Sequence, residues 1–150
     1  MREQIINAWE ELKRADHLMY VSLKYTRTGD VIKSIVERLI NSFDFIIDAI
    51  LEKAEEENKI IEIPNTPIQK VNQIKNLYGS DQPLHDLLNF YLLLRKIIQA
   101  KTSVVKEFRR HVTLTVMLEN KSIEINIDII HEYYDKSREF FDYVRNQGYI

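Results

Sequence analysis

The sequence contains no cysteine, and only three glycines and three prolines occur among its 150 residues. The missing cysteines exclude disulfide bonds, thiolate nucleophiles and cysteine-based zinc sites. The glycines are isolated, at Gly29, Gly79 and Gly148, which excludes the glycine-rich loops that bind nucleotide phosphates. No apolar run approaches the ~20 residues of a membrane span, and no apolar leader segment follows Met1. A cytoplasmic protein without a membrane partner is therefore expected.

The composition is that of one globular domain spanning residues 1–150. Hydrophobic residues make up 45% and charged residues 29% of the chain, and no repeat or linker interrupts it. The formal net charge of −2 argues against a strongly basic nucleic-acid-binding protein. The charge is uneven, however, because residues 61–118 carry eight basic and only four acidic groups. This middle third is where an anion is expected to bind.

Apolar residues recur at helical spacing through most of the chain, and this periodicity predicts five amphipathic helices. The predicted ranges are 3–23, 30–57, 67–78, 83–109 and 128–147. Candidate capping residues precede three of them: Thr28 or Asp30, then Thr66, then Ser80 or Asp81. The fourth segment is apolar around most of its circumference in its first half, which indicates a helix covered from two sides.

One segment has the two-residue periodicity of strands instead. Apolar residues alternate with polar ones from Val112 to Val116 and again from Ile123 to Ile127, around the turn-forming residues 119–122. This pattern predicts a β-hairpin over about residues 112–127. The expected fold is therefore mainly α, a bundle of about five helices with a small β-hairpin before the last helix.

Metal and acid–base motifs are weak. Asp128 and His131 have the spacing of a helical metal-ligand pair, but one imperfect pair is not a site, so neither a metal nor a cofactor is expected. His17 and His85 are interpreted as surface or capping residues. Asp44 and Asp48, four residues apart, could support acid–base chemistry, although an ion-paired border of the second helix is the favoured interpretation.

The predicted fourth helix carries a stripe of basic residues on one side. Its cations are Arg95, Lys96, Lys106 and Arg110, with Arg109 and His111 close to its end. A track for nucleic-acid phosphates is one interpretation of this stripe. Ion pairing with acidic faces of the second and fifth helices is the other, and it is favoured because the flanking segments are acidic. The loop residues Lys24, Tyr25 and Arg27 are a second candidate for phosphate and base contacts, or a plain interhelical turn.

Phe45 lies opposite the apolar face of the second helix, close to Ala49. An exposed aromatic side chain beside small residues often marks a partner surface. We therefore expect a homodimer with Phe45 and Ala49 in its interface.

Two helices resemble the HEPN superfamily of small prokaryotic helical bundles, which often form dimers. The resemblance rests on the first helix, with Ala8, Trp9, Leu12, Arg14 and Ala15, and on the second, Asp30 to Ala54, with polar Asn41, Ser42, Asp44 and Asp48 among aliphatic residues. Many members are ribonucleases or toxin–antitoxin components, identified by an arginine that four to six residues separate from a histidine. No arginine and histidine of this chain have that spacing. The resemblance therefore implies a helical bundle fold. The missing arginine–histidine spacing puts the nuclease activity in doubt.

These observations favour a non-enzymatic helical binding or regulatory protein that forms a homodimer and binds RNA or a partner protein. One alternative is an RNA- or DNA-binding module that uses the basic stripe. A second alternative is an atypical ribonuclease or toxin–antitoxin component with Arg110 and His111 as its catalytic pair.

Overall fold

A computed structural model describes residues 2–23, 28–105 and 112–150 of the chain. Within these ranges five helices and three strands follow one another: α1 (Arg2–His17), α2 (Gly29–Glu56), α3 (Pro67–Leu77), α4 (Gln82–Gln99), β1 (Lys101–Val105), β2 (Thr113–Leu118), β3 (Lys121–Ile125) and α5 (Ile127–Asn146). The predicted fold, a mainly α bundle with a hairpin before its last helix, is confirmed. In the described ranges no helix combines the length and the apolar character needed to cross a bilayer.

The helix starts follow the capping residues of the sequence closely. The side chains of Thr28, Thr66 and Asp81 accept hydrogen bonds from backbone N–H groups three residues later, at 3.3, 3.3 and 3.1 Å. These bonds satisfy donors that the first helical turn leaves free. For α5, Asn126 is the capping residue and accepts a bond of 2.8 Å from the Ile129 N–H.

Helix α2 is the centre of the bundle and packs against all four other helices. Its Phe43 is fully buried, and its ring stacks on Phe140 of α5 with centroids 4.4 Å apart and on Tyr91 of α4 at 5.4 Å. Stacked aromatic rings add directional packing to the area that they bury. Phe43 thus fixes how α4 and α5 sit against the central helix.

Helix α1 packs along α2 through small side chains. Ala8, Ala15 and Ala49 are fully buried, and the Ser42 hydroxyl donates a buried hydrogen bond of 3.0 Å to the Ala8 carbonyl. Small residues let two helix backbones approach closely, and the hydroxyl requires an acceptor once it is buried. Beyond His17 the helix widens into a π-helical segment, Leu18–Ser22.

The predicted end of the fourth helix was wrong. Helix α4 ends at Gln99 instead of Arg109, and Ala100 already has an extended backbone, with φ −81° and ψ 161°. The next residues form β1, which pairs antiparallel with β2, so that the sheet has three strands in the order β1-β2-β3. The β-branched residues Thr102, Val104 and Val105 favour an extended chain over a helix. The predicted hairpin is confirmed as β2 and β3.

Candidate functional site

Four basic side chains surround one surface pocket between α1 and α2. The pocket has a volume of about 300 Å³ and is lined by Lys13, Arg14, His17, Leu18 and Arg38. We call this set the basic pocket. Leu18 is the apolar member of the lining, and no acidic residue belongs to it. A pocket lined in this way offers donors and positive charge to an anion.

The local sequence explains how the basic pocket forms. Lys13, Arg14 and His17 lie within one turn of α1 and therefore share one side of the helix. Leu18 begins the π-helical segment, and a π-helical turn often occurs at a functional site because it shifts side chains out of the regular helical register. Arg38 comes from α2, across the helix pair.

Carboxylates neutralise the basic pocket only in part. Glu11, just 6% exposed, lies behind the pocket with its carboxylate 2.9 Å from the Arg14 Nη1 and 3.3 Å from the Arg38 Nη1. At the rim, the Glu10 carboxylate lies 3.0 Å from the Lys13 Nζ. Two carboxylates thus face three permanently charged side chains and His17. Glu11 holds both guanidinium groups in place. Each guanidinium has five N–H donors, and some of them are directed away from Glu11.

The basic stripe predicted on the fourth helix is not one helix face. Helix α4 ends at Gln99, so the described part of the chain contains only Arg95 and Lys96 of the predicted stripe. Lys106, Arg109, Arg110 and His111 lie outside the described residues, as do Lys24, Tyr25 and Arg27. The nucleic-acid contacts predicted for all these residues stay predictions.

The two described cations of that stripe have different surroundings. The Arg95 Nη1 lies 3.5 Å from the Asp44 Oδ2, the kind of ion pair that the favoured interpretation of the stripe predicts. Lys96 instead lines a groove of about 450 Å³ between the end of α4 and the β2–β3 turn. Arg95 is therefore engaged by α2, whereas Lys96 borders an open groove.

Asp44 and Asp48 form the ion-paired border that the sequence favoured. The Asp48 Oδ1 lies 2.7 Å from the Lys70 Nζ on α3, and Asp44 accepts a hydrogen bond from the buried Tyr91 hydroxyl in addition to its contact with Arg95. Burial raises the pKa of Asp44, although the Tyr91 hydroxyl and Arg95 oppose that rise. Burial and the bond to Asp44 also raise the pKa of Tyr91. Each carboxylate thus ties a neighbouring helix to α2.

The predicted dimer face on α2 is largely covered within the chain. Ala49 is fully buried, and Phe45 is partly buried and packs on the core. Ala49 is thus covered within the chain itself, and the predicted dimer interface at Phe45 and Ala49 stays a prediction. Helix α1 covers this side of α2, as the neighbouring Ser42–Ala8 hydrogen bond shows. The sequence could not reveal this, because an amphipathic pattern does not say how many neighbours a helix has.

A second polar cluster lies at the opposite end of the chain's fold, around Asp81. The Tyr143 hydroxyl donates to its Oδ1 and the Tyr149 hydroxyl to its Oδ2, both at 2.5 Å, while Asp81 also caps α4. The Tyr149 ring stacks on Tyr78 with centroids 4.0 Å apart. We call these four residues the Asp81 cluster.

Hydrogen bonding shifts the pKa values of the side chains in the Asp81 cluster. Burial disfavours the charged Asp81 carboxylate, but the bonds from Tyr143, Tyr149 and the Leu84 N–H outweigh it and lower its pKa. The bond to Asp81 in turn raises the pKa of Tyr143 to about 12. The pKa of Tyr149 is raised too, by burial and by its bond to Asp81. The cluster joins the C-terminal segment to the start of α4.

No group of three or more histidine, aspartate or glutamate side chains suited to a metal ion occurs in residues 2–23, 28–105 and 112–150. His131, half of the predicted pair, instead has its ring edge against Tyr20, with centroids 5.6 Å apart. His85 contacts the Tyr78 carbonyl through its Nε2 at 2.9 Å, within the turn before α4.

Comparisons with protein-family models, with curated proteins and with solved structures return no match to this chain. The HEPN resemblance therefore stays a prediction.

The basic pocket was missed by the sequence analysis, which interpreted His17 as an ordinary surface residue. The available signal was the spacing of Lys13, Arg14 and His17 on one side of α1. Arg38 could not be added to it, because 23 residues lie between Arg14 and Arg38 along the chain.

Proposed function

We propose that this chain is a non-enzymatic helical binding protein whose ligand carries phosphate and binds in the basic pocket. One observation carries the proposal: Lys13, Arg14 and His17 of α1 and Arg38 of α2 line one recess of about 300 Å³. Phosphate oxygens accept several charge-assisted hydrogen bonds at once, and guanidinium groups match their geometry. The Glu11 carboxylate offsets part of the repulsion between Arg14 and Arg38, and the remaining N–H groups of both are donors for a ligand.

The direct test is calorimetric titration of the full-length chain with pyrophosphate, in low and in high salt. Arg38→Gln and Lys13→Gln each remove one positive charge from the pocket, and we expect each to weaken binding about tenfold. Binding by the unmodified chain should also weaken as salt screens the charges. Circular dichroism of each variant confirms that the helices remain folded.

Arg95→Gln is the matched control. Like Arg38, Arg95 pairs with a carboxylate on a neighbouring helix, at 3.5 Å from Asp44, but it lies outside the basic pocket. Its replacement should leave pyrophosphate affinity unchanged. If Arg95→Gln weakens binding as much as Arg38→Gln does, the site lies on the α4 stripe. If the unmodified chain does not bind pyrophosphate, the proposed function is wrong.

The proposal keeps the homodimer and the cytoplasmic location expected from the sequence. Ala49, a residue of the predicted interface, is fully buried within the chain. Other large apolar side chains are exposed, among them Ile61 at 98% and Ile68 at 57%. Sedimentation equilibrium over a range of protein concentrations measures whether copies associate, and a monomer throughout that range would remove this part of the proposal.

A further inference from the structure

The exposed apolar side chains of this chain are concentrated on α1 and the π-helical segment. Among the residues that the structure describes, seven large apolar side chains are exposed, and four of them are Ile6, Trp9, Tyr20 and Val21. The other three are dispersed over the α2–α3 connection, α3 and β2. A group of exposed apolar side chains commonly marks an interface with a protein or a membrane. The outer side of α1 is therefore where a partner is expected to bind.

Two of these rings lie along the line of contact between α1 and α5. The Trp9 ring lies 5.7 Å from the Phe141 ring, and the Tyr20 ring lies 5.6 Å from the His131 ring. We call this line of contact the α1–α5 seam. Trp9 is still 37% exposed and Tyr20 60% exposed, so the seam is only partly covered within the chain. The two contacts also show that α1 and α5 run antiparallel.

The two sides of the α1–α5 seam carry opposite charge. On the α1 side, Lys13 is exposed and lies at about the level of Ser137 of α5, because the two helices are antiparallel. On the α5 side, three carboxylates and one guanidinium surround a recess of about 420 Å³. It is lined by Asp135, Arg138, Glu139, Asp142, Tyr143 and Asn146. The recess adjoins the seam, since the Arg138 guanidinium lies 5.5 Å from the centre of the Trp9 ring.

We propose that this face binds a second copy of the chain, with the α1–α5 seam of one copy covering that of the other. This inference rests on the homodimer kept in the proposed function and adds its interface. A two-fold axis along the seam keeps every residue at its own level and places α1 of each copy over α5 of the other. Trp9 then meets Trp9 of the second copy, and each Lys13 lies over the recess between Asp135 and Glu139 of the other copy.

A second copy fits this face better than an anionic membrane does. Lipid phosphates would be repelled by the three carboxylates of the α5 recess, whereas Lys13 of a second copy is attracted to them. Within its own chain Lys13 contacts the Glu10 carboxylate at 3.0 Å, and both side chains of this pair are about half exposed. Such surface ion pairs contribute little to stability, so Lys13 remains available to the second copy.

The test exchanges the charges of one contact in the full-length chain. Lys13→Glu places a carboxylate over the acidic recess, and Glu139→Lys places a cation opposite Lys13. Each variant alone should raise the dissociation constant of the homodimer about a hundredfold in sedimentation equilibrium, because the like charges meet twice across the two-fold axis. An equimolar mixture of the two variants should restore association, since the mixed dimer pairs opposite charges at both contacts. Circular dichroism confirms that each variant remains folded.

Glu62→Lys is the matched control for these charge changes. Glu62 is exposed on the α2–α3 connection, beside the exposed Ile61, and its replacement should leave association unchanged. Fluorescence provides an independent measurement, because Trp9 is the sole tryptophan of the chain. Dilution of the unmodified chain should increase the quenching of Trp9 by acrylamide, whereas dilution of Glu139→Lys should not.

Four results would overturn the inference. In the first, Lys13→Glu and Glu139→Lys associate like the unmodified chain, which leaves the homodimer with an interface elsewhere, such as the one predicted at Phe45. In the second, the mixture of the two variants fails to associate, and in the third, Glu62→Lys disrupts the dimer. In the fourth, the unmodified chain is monomeric at every concentration, whether or not it binds phosphatidylserine vesicles. The fourth result also removes the homodimer, but the phosphate site survives it if pyrophosphate binding still depends on Arg38.

Discussion

The Asp81 cluster and the basic pocket both contain polar side chains from different helices, but they differ in how completely their charges are matched. In the Asp81 cluster one carboxylate accepts hydrogen bonds from two tyrosine hydroxyls and one backbone N–H. In the basic pocket two carboxylates face three permanent cations and a histidine. The difference teaches that a polar cluster whose donors and acceptors are balanced holds the fold together, whereas an unbalanced one is available to a ligand.

The two clusters also differ in the partners that other elements contribute. Tyrosines of the C-terminal part of the chain meet Asp81 at the start of α4, whereas Arg38 of α2 adds a further positive charge to those of α1 at the basic pocket.

The largest effect should come from Asp81→Ala. This change removes the cap of α4 and leaves the hydroxyls of Tyr143 and Tyr149 without their acceptor. We expect the free energy of unfolding to fall by about 2 kcal/mol or more, measured by urea denaturation. Asp81→Asn keeps an acceptor and a capping side chain and should lose about half as much. A loss below about 0.5 kcal/mol in Asp81→Ala would mean that the cluster is not structural.

An intermediate effect should appear at alkaline pH. The pKa of Tyr143 is raised to about 12 in the folded chain, against about 10 in an unfolded one. A raised pKa means that the neutral phenol stabilises the fold fully below about pH 10, and that this contribution is lost as the pH rises towards 12. The urea midpoint should therefore decline between about pH 10 and about pH 12, and less steeply in Tyr143→Phe. Equal slopes in the two proteins would contradict this role of Tyr143.

The smallest effect should come from Glu11→Gln, which makes the basic pocket still less balanced. Removing the buried negative charge between Arg14 and Arg38 should strengthen pyrophosphate binding about threefold. The same change should lower the free energy of unfolding by about 1 kcal/mol, because the guanidinium groups then repel each other without a counter-charge. Glu10→Gln, at the exposed rim, is the control and should change both quantities less. Weaker pyrophosphate binding in Glu11→Gln would show that Glu11 serves the site by positioning the arginines.

The sequence predicted the helices well because their signals are local. Thr28, Thr66 and Asp81 cap helices as expected, since the chemistry of a cap involves residues only three positions apart. Strand β1 was missed because the apolar pattern of α4 runs into the alternation of residues 101–105 without a glycine or proline between them. The β-branched Thr102 and Val104 were the signal that marked the change.

The sites were harder to predict because they depend on contacts between helices. The basic pocket requires that Arg38 come close to Arg14, and the cover over Ala49 requires that α1 lie on that side of α2. Both facts follow from the packing of α1 against α2, which periodicity within either helix does not encode. The pairing of Arg95 with Asp44 was predicted correctly because the acidic flanks of the chain indicated it.

The hydrogen bond between the Ser42 hydroxyl and the Ala8 carbonyl has a consequence for the basic pocket. Two helices that touch through alanines have little in their smooth surfaces to prevent them from sliding along each other. A slip by one turn would move Arg38 by about 5.4 Å relative to Arg14 and disperse the charges. The Ser42 hydroxyl opposes that slip together with the Glu11–Arg38 ion pair and the Gln4–Glu52 hydrogen bond, which join the same two helices. A residue outside the lining of the basic pocket, one turn from Arg38, thus helps to set how far Arg38 lies from Arg14.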